Sequence, residues 1–174
     1  VAVLPMLGIG GMQLYRAETP GPVKDSKMTP RIADTAKHLW YIYLSLTILC
    51  SLAYWVAGMG VFDAICHAFS TIAIGGFSTH DASMGYFNSP QINLVCVFFL
   101  LVAGVNFALH YSAIHAKSVK TYFYDPEFKV FIAIQVVLTL ICFAVLMSHG
   151  TYSDADVALD QALFQSVSIS TTAG

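Results

Sequence analysis

The chain has 174 residues, of which 57% are hydrophobic and only 10% charged, with a formal net charge of −2. Soluble domains carry about 25% charged residues, so this composition excludes an ordinary water-soluble globule. The charge balance gives nucleic acid no basic surface to bind.

Residues Val1 to Leu14 are apolar, with no initiator Met and no basic leading region, so they do not read as a signal peptide. At 1.5 Å per residue such a run reaches only about 21 Å, too short to cross a bilayer. Residues 1–15 are therefore expected to be the inner end of a span, and the chain an internal piece of a longer protein. A connection over 16–38 carries Arg16, Lys24, Lys27, Arg31 and Lys37 and is broken by Pro20, Gly21, Pro22 and Pro30. Asp34 and Thr35 are expected to cap a helix that leads into a span over 39–59. Trp40, Tyr41 and Tyr43 would sit at its inner interface and Tyr54 and Trp55 at its outer one, the pattern of an aromatic belt. A short amphipathic helix is predicted over 63–71, an irregular segment over 72–77, and a second span over 92–114 with Pro90 in its first turn. A connection over 116–129 leads to a third span, 130–147. Ser153 or Asp154 then caps a second short helix, 156–168, with an irregular segment over 170–174.

All eight basic residues fall in two connections, Arg16 to Lys37 and Lys117, Lys120 and Lys129. By the positive-inside rule those face the cytoplasm. The other two connections then lie outside, where the charges are Asp63, Asp81, Asp154, Asp156 and Asp160. Carboxylates around an outer mouth concentrate cations, although ordinary solvated loop charge is the plainer reading. Cys50, Cys66, Cys96 and Cys142 have no metal-site or redox spacing. They are expected to be small buried hydrophobes.

Two segments share one shape. Residues 62–76 read FDAICHAFSTIAIGG and residues 160–174 read DQALFQSVSISTTAG, 98 positions later. Each has an aspartate near its start, about two turns of amphipathic helix, a Ser/Thr and β-branched stretch, then a small residue and a glycine. One copy would pass for an ordinary loop. Two copies in register on the same predicted side point instead to re-entrant pore loops, because irregular backbone at membrane depth is tolerated only where it lines a wet cavity. A potassium ion sheds water only where oxygens replace its shell, and backbone carbonyls do this in potassium filters. Aiming successive carbonyls to one side needs positive φ at alternate positions, which Gly75-Gly76 and Ala173-Gly174 are expected to supply. The short helices would turn their negative C-terminal ends toward the ion, and Ser70, Thr71, Ser168 and Ser170 could hydrogen-bond the turning backbone.

The segments STIAIGGFS (70–76 with Phe77 and Ser78) and SISTTAG (168–174) resemble pore loops two and three of the Trk/Ktr/HKT potassium transporter superfamily. The chain is most similar to the membrane subunit of the bacterial Trk system, and the resemblance covers its whole length, including the tail Gly10-Gly11-Met12-Gln13. It implies an all-α polytopic protein of the bacterial inner membrane, built from repeated span–pore-loop–span units around one pore. Here that would be the end of unit one (1–15), all of unit two (39–115) and the front of unit three (130–174). The filter glycines it implies are Gly76 and Gly174, with carbonyls of Ile74, Gly75, Thr172 and Ala173 lining the ion sites beside them. It implies potassium as substrate, no cofactor, and no enzymatic activity. As partners it implies membrane lipid, a second copy of the full-length protein and a TrkA-like cytosolic nucleotide-binding subunit, for which 24–31 and 117–129 are the available basic surfaces.

Asn106 and Gln135 lie inside expected spans and read as helix-to-helix hydrogen bonders. His110 and His115 read as interfacial packing, although histidines can sense pH. His67 and His80 either tune the outer mouth or make structural hydrogen bonds. A sodium-selective or weakly selective pore of the same superfamily is the first alternative. An integral membrane enzyme would need an acidic or His cluster within a span, and no Asp or Glu lies in any predicted span. A non-conducting scaffold leaves the duplicated motif unexplained.

Overall fold

A computed structural model describes residues 32–173, and every regular element in that stretch is helical. The expectations for 1–15, for most of the first connection and for Gly174 lie outside the described residues. Helix α1 is Ile32–Val56, α2 Val61–Ile72, α3 Pro90–Gly104, α4 Phe107–Ala116, α5 Lys120–Tyr124, α6 Pro126–Ser148 and α7 Ala155–Ser170, with a 3₁₀ turn over Ser83–Tyr86. The stretches Ala36–Val56 and Pro126–Ser148, of 21 and 23 residues, are long and apolar enough to cross a membrane. Helix α2, at 12 residues, is not.

Helix α1 begins before Asp34 and Thr35, which therefore lie inside it rather than capping it. Helix α6 does start as a capped helix should. Asp125 accepts a hydrogen bond from the Phe128 N–H at 3.0 Å, and Pro126 occupies the first turn, where its missing donor costs nothing. Asp154 precedes α7 without a side-chain cap bond.

Where a single span was expected over 92–114, the structure places two helices, α3 and α4, bent by 89°. Asn106 makes the break: its side-chain oxygen accepts from the Ala108 N–H at 2.9 Å and starts α4 as an N-cap. It bonds within its own chain segment and not between helices, as the sequence had suggested. Gly104 ends α3 at a crowded point. A Cβ there would lie 2.9 Å from the Phe131 ring on α6 and 3.6 Å from Thr171 Cγ2, so only glycine lets the three segments approach this closely. His110 secures the far side of the bend. One ring nitrogen contacts the Val102 carbonyl at 2.9 Å and the other the Tyr122 hydroxyl at 2.8 Å. His115 stacks on Tyr111 with centroids 4.6 Å apart.

The core lies where α1, α2, α3 and α7 meet, with Cys50, Tyr54, Ala68, Cys96, Leu100 and Val167 buried together. Tyr54 was expected in an outer aromatic belt. Instead it is fully buried, its hydroxyl 2.7 Å from Thr71 Oγ1 on α2, while Trp55 beside it is exposed. The reason is helical geometry: adjacent residues are about 100° apart on a helix, and α2 packs on the Tyr54 side. Cys50 and Cys96 are buried as expected, whereas Cys66 and Cys142 are only half-buried. The outward face of α6, including Ile134, Val137, Leu140 and Ile141, is exposed and apolar.

Candidate functional site: two paired helix-stop loops

Both loops are built by the same stop. At the end of α2 the Ala73 N–H donates to Phe69 O, the Ile74 N–H to Thr71 O and the Gly75 N–H to Ser70 O, at 3.0, 3.1 and 2.8 Å. At the end of α7 the Thr171 N–H donates to Val167 O, the Thr172 N–H to Ile169 O and the Ala173 N–H to Ser168 O, at 3.0, 3.0 and 2.9 Å. Every donor and acceptor in the first set maps onto the second by a shift of 98 positions. The last bond of each set, reaching back five residues across a left-handed residue, is a Schellman-type helix termination.

The left-handed residues are Ile74 (φ 52°) and Thr172 (φ 70°), with Gly76 (φ 69°) two positions after the first. In the first loop positive φ thus recurs at alternate positions, but not where the glycines alone had placed it: Ile74 takes it and Gly75 does not. Glycine is the ordinary occupant of such a stop, and a β-branched side chain there is an outlier. Two outliers at equivalent positions are held against this cost by their surroundings, and backbone strain of this kind gathers at functional sites. Gly75 has its own constraint, since a Cβ on it would approach the Phe77 ring to 3.2 Å.

Of the candidate residues, Gly76 and Ala173 line one small cleft together, with Ser70, Thr71, Cys96 and Ser168. Ile74 and Ala173 are half-buried against the core, Gly75 is half-buried, and Gly76 and Thr172 are exposed. The structure thus brings the two loops to one place, while Ile74, Gly75 and Thr172 sit outside that cleft. The carbonyls of Ser70 and Ser168 hold the turns, and the hydroxyls of Thr71 and Ser170 serve elsewhere. Ser170 Oγ donates to Gln135 Oε1 at 2.8 Å, and Thr139 Oγ1 meets Ser166 Oγ at 2.7 Å, so α6 grips α7 through polar bonds. Gln135 is the inter-helix hydrogen bonder that the sequence suggested.

A network formed by the residues that follow the first loop was less visible. Thr79 Oγ1 donates to Asp63 Oδ1 at 2.6 Å, and His80 Nε2 lies 3.4 Å from Asp63 Oδ2. The Thr79 hydroxyl, aided by His80, holds the Asp63 carboxyl below its ordinary range. His80 stacks on Tyr86 with centroids 3.6 Å apart. His67, 2% exposed, contacts Asp63 O at 2.8 Å and Ser78 Oγ at 2.9 Å. Asn93 on α3 donates to Asp160 on α7 at 2.9 Å and ties the two units on that side. The available signal was the i, i+4 pair Asp63 and His67 on one helix face. Asn93–Asp160 spans 67 positions and left no local trace.

The family model for TrkH, described as a cation transport protein, matches residues 1–174. The chain belongs to the TrkH family of cation transport proteins. It is an integral inner-membrane protein, as its apolar helices and its relatives require. It is 68% identical to the Trk system potassium uptake protein TrkH of Vibrio parahaemolyticus over 100% of its own length and 36% of that protein's. The corresponding protein of Escherichia coli K12 is 60% identical with the same coverage, and the Trk system potassium uptake protein TrkG of that organism is 47% identical over 87% of this chain and 31% of its own length. The crystal structure of the potassium transporter TrkH from Vibrio parahaemolyticus superposes with a TM-score of 0.82 at 59% identity, covering 100% of this chain and 34% of that one. The chain thus spans about a third of the curated relatives it matches.

Proposed function

We propose that this chain contributes two of the pore loops through which a TrkH-family protein takes up potassium. The observation that carries the reading is the pair of helix stops, alike bond for bond at a spacing of 98 residues and sharing one cleft through Gly76 and Ala173. The names of the relatives, potassium uptake proteins, supply the ion. In this reading the short helices α2 and α7 enter the membrane partway, and the segments after them return as selectivity-filter backbone. The carbonyls of Ile74, Gly75, Gly76, Thr172, Ala173 and Gly174 replace the ion's hydration shell. No bond is made or broken in the substrate, and the full protein acts as a transporter and not as an enzyme.

The left-handed residues have a use here. Alternating the sign of φ turns successive carbonyls toward a common side, which a regular helix or strand does not do. The Asp63 and Asp160 carboxylates beside the loops attract cations to the mouth. The full-length protein would act as a homodimer in the bilayer, with a TrkA-like nucleotide-binding subunit on the cytosolic side. The exposed run through Lys117, Lys120 and Lys129 offers that subunit a basic surface here.

Complementation tests the reading. The full-length parent protein, expressed with its cytosolic partner in a bacterium stripped of its own potassium uptake systems, is expected to restore growth at low external potassium. Correct membrane insertion without rescue, in the partner's presence, would contradict it.

A further inference from the structure

We propose that His67 is a positioning residue for the first filter segment, acting through its hydrogen bond to Ser78; the inference rests on the pore-loop reading above and deepens it. The Asp63 carbonyl can only accept, so Nδ1 of His67 carries a proton, and in the neutral ring Nε2 is the acceptor. The Ser78 hydroxyl, 2.9 Å away, then donates to Nε2, and its oxygen accepts the His80 N–H at 3.1 Å. One step outward, Thr79 is bonded to the Asp63 side chain at 2.6 Å. Ser78 and Thr79 are therefore tied to the first two turns of α2 and His80 to Ser78, and the anchor of Ser78 is a histidine only 2% exposed.

The consequence concerns residues 73–77. Their inner end is fixed by the helix stop on Ser70 and Thr71, and their outer end by His67 and Asp63. Both anchors stand on the same helix, so the distance the segment must span is set by α2 itself. A binding site works best when the groups that meet the ligand are held within about 0.5 Å of their productive geometry by a supporting shell. His67 is also braced by Phe87 and Tyr54, with ring centroids 5.3 and 6.5 Å away, which limits its own freedom. At the position equivalent to His67 the second loop carries Gln165, which is exposed, so a buried histidine anchor of this kind stands behind the first loop alone among the described residues. His67 stands behind the first loop and is not itself a carbonyl of the filter segment, so its removal should disturb discrimination without abolishing conduction.

The test uses the full-length protein in proteoliposomes and reads the potassium-to-sodium flux ratio for wild type, H67L, S78A, S78T and the H67L/S78A double variant. H67L and S78A should each lower the ratio by at least about fivefold, the scale of one hydrogen bond, while potassium flux persists. The double variant should fall no further than either single one, since both remove the same bond. S78T keeps the hydroxyl and should keep the wild-type ratio. A mere packing role for His67 would leave S78A unaffected and make the double variant additive. An unchanged ratio in S78A overturns the proposal, and S78A alone decides the question if H67L fails to insert. A wild-type protein that carries no cation flux would overturn the pore-loop reading itself, and one that conducts without preferring potassium would overturn the potassium filter, both outcomes visible before any variant is compared.

Discussion

Ile74 and Thr172 hold a backbone conformation that costs a β-branched residue about 1–2 kcal/mol, and the cost differs in how it is offset. Ile74 is half-buried against the core, so its side chain contributes packing there. Thr172 is exposed and gains little. T172G is therefore expected to stabilise the full-length protein by about 1 kcal/mol, read as a higher Tm in detergent, and a lower Tm would show that the Thr172 side chain has a partner in the full protein. Gln135 gives the opposite case. Q135L leaves Ser170 without its cross-helix acceptor and should destabilise by about 1 kcal/mol, measured by the same melting experiment. At this scale the sequence was half legible. Its glycines located the turns to within two residues, because glycine is the usual occupant of positive φ. That Ile74 takes the strain while Gly75 does not follows from bonds to Ser70 and Thr71, which residue preferences do not encode.

Among the elements, the bend between α3 and α4 is the largest departure from expectation. The stretch between Ala82 and Ala116 is free of charge, and an average over it sees one apolar span. The local signals for a break were present in Gly104 and Asn106, but a polar residue inside an apolar run is as easily read as an inter-helix bonder. What decided the matter is tertiary: Phe131 and Thr171 press on Gly104 from α6 and the end of α7. G104A is expected to cost about 1–3 kcal/mol, because the new methyl meets the Phe131 ring and one side must move. N106A should cost about 1 kcal/mol through loss of the α4 cap. Both are measurable as falls in Tm, and a neutral G104A would mean that α6 yields more readily than its packing implies.

For the molecule as a whole, charge placement and repetition carried most of the reading. The 98-residue repeat survives in the three-dimensional arrangement, where the two loops end side by side. The linking bonds did not show in the sequence: Asn93–Asp160, Gln135–Ser170 and Tyr54–Thr71 join residues 17 to 67 positions apart, and no periodicity announces such pairs. The central claim is that Gly76, left-handed at φ 69° and in the cleft with Ala173, belongs to a potassium filter. The measurement that tests it most directly is the uptake of potassium against sodium by the full-length protein in proteoliposomes, with wild type beside G76S. A side chain at this φ distorts the segment and adds a hydroxyl to it, so the account predicts potassium preference in the wild type and its loss in the variant, with sodium admitted. A variant that transports and keeps the wild-type preference would place the filter elsewhere and contradict the account.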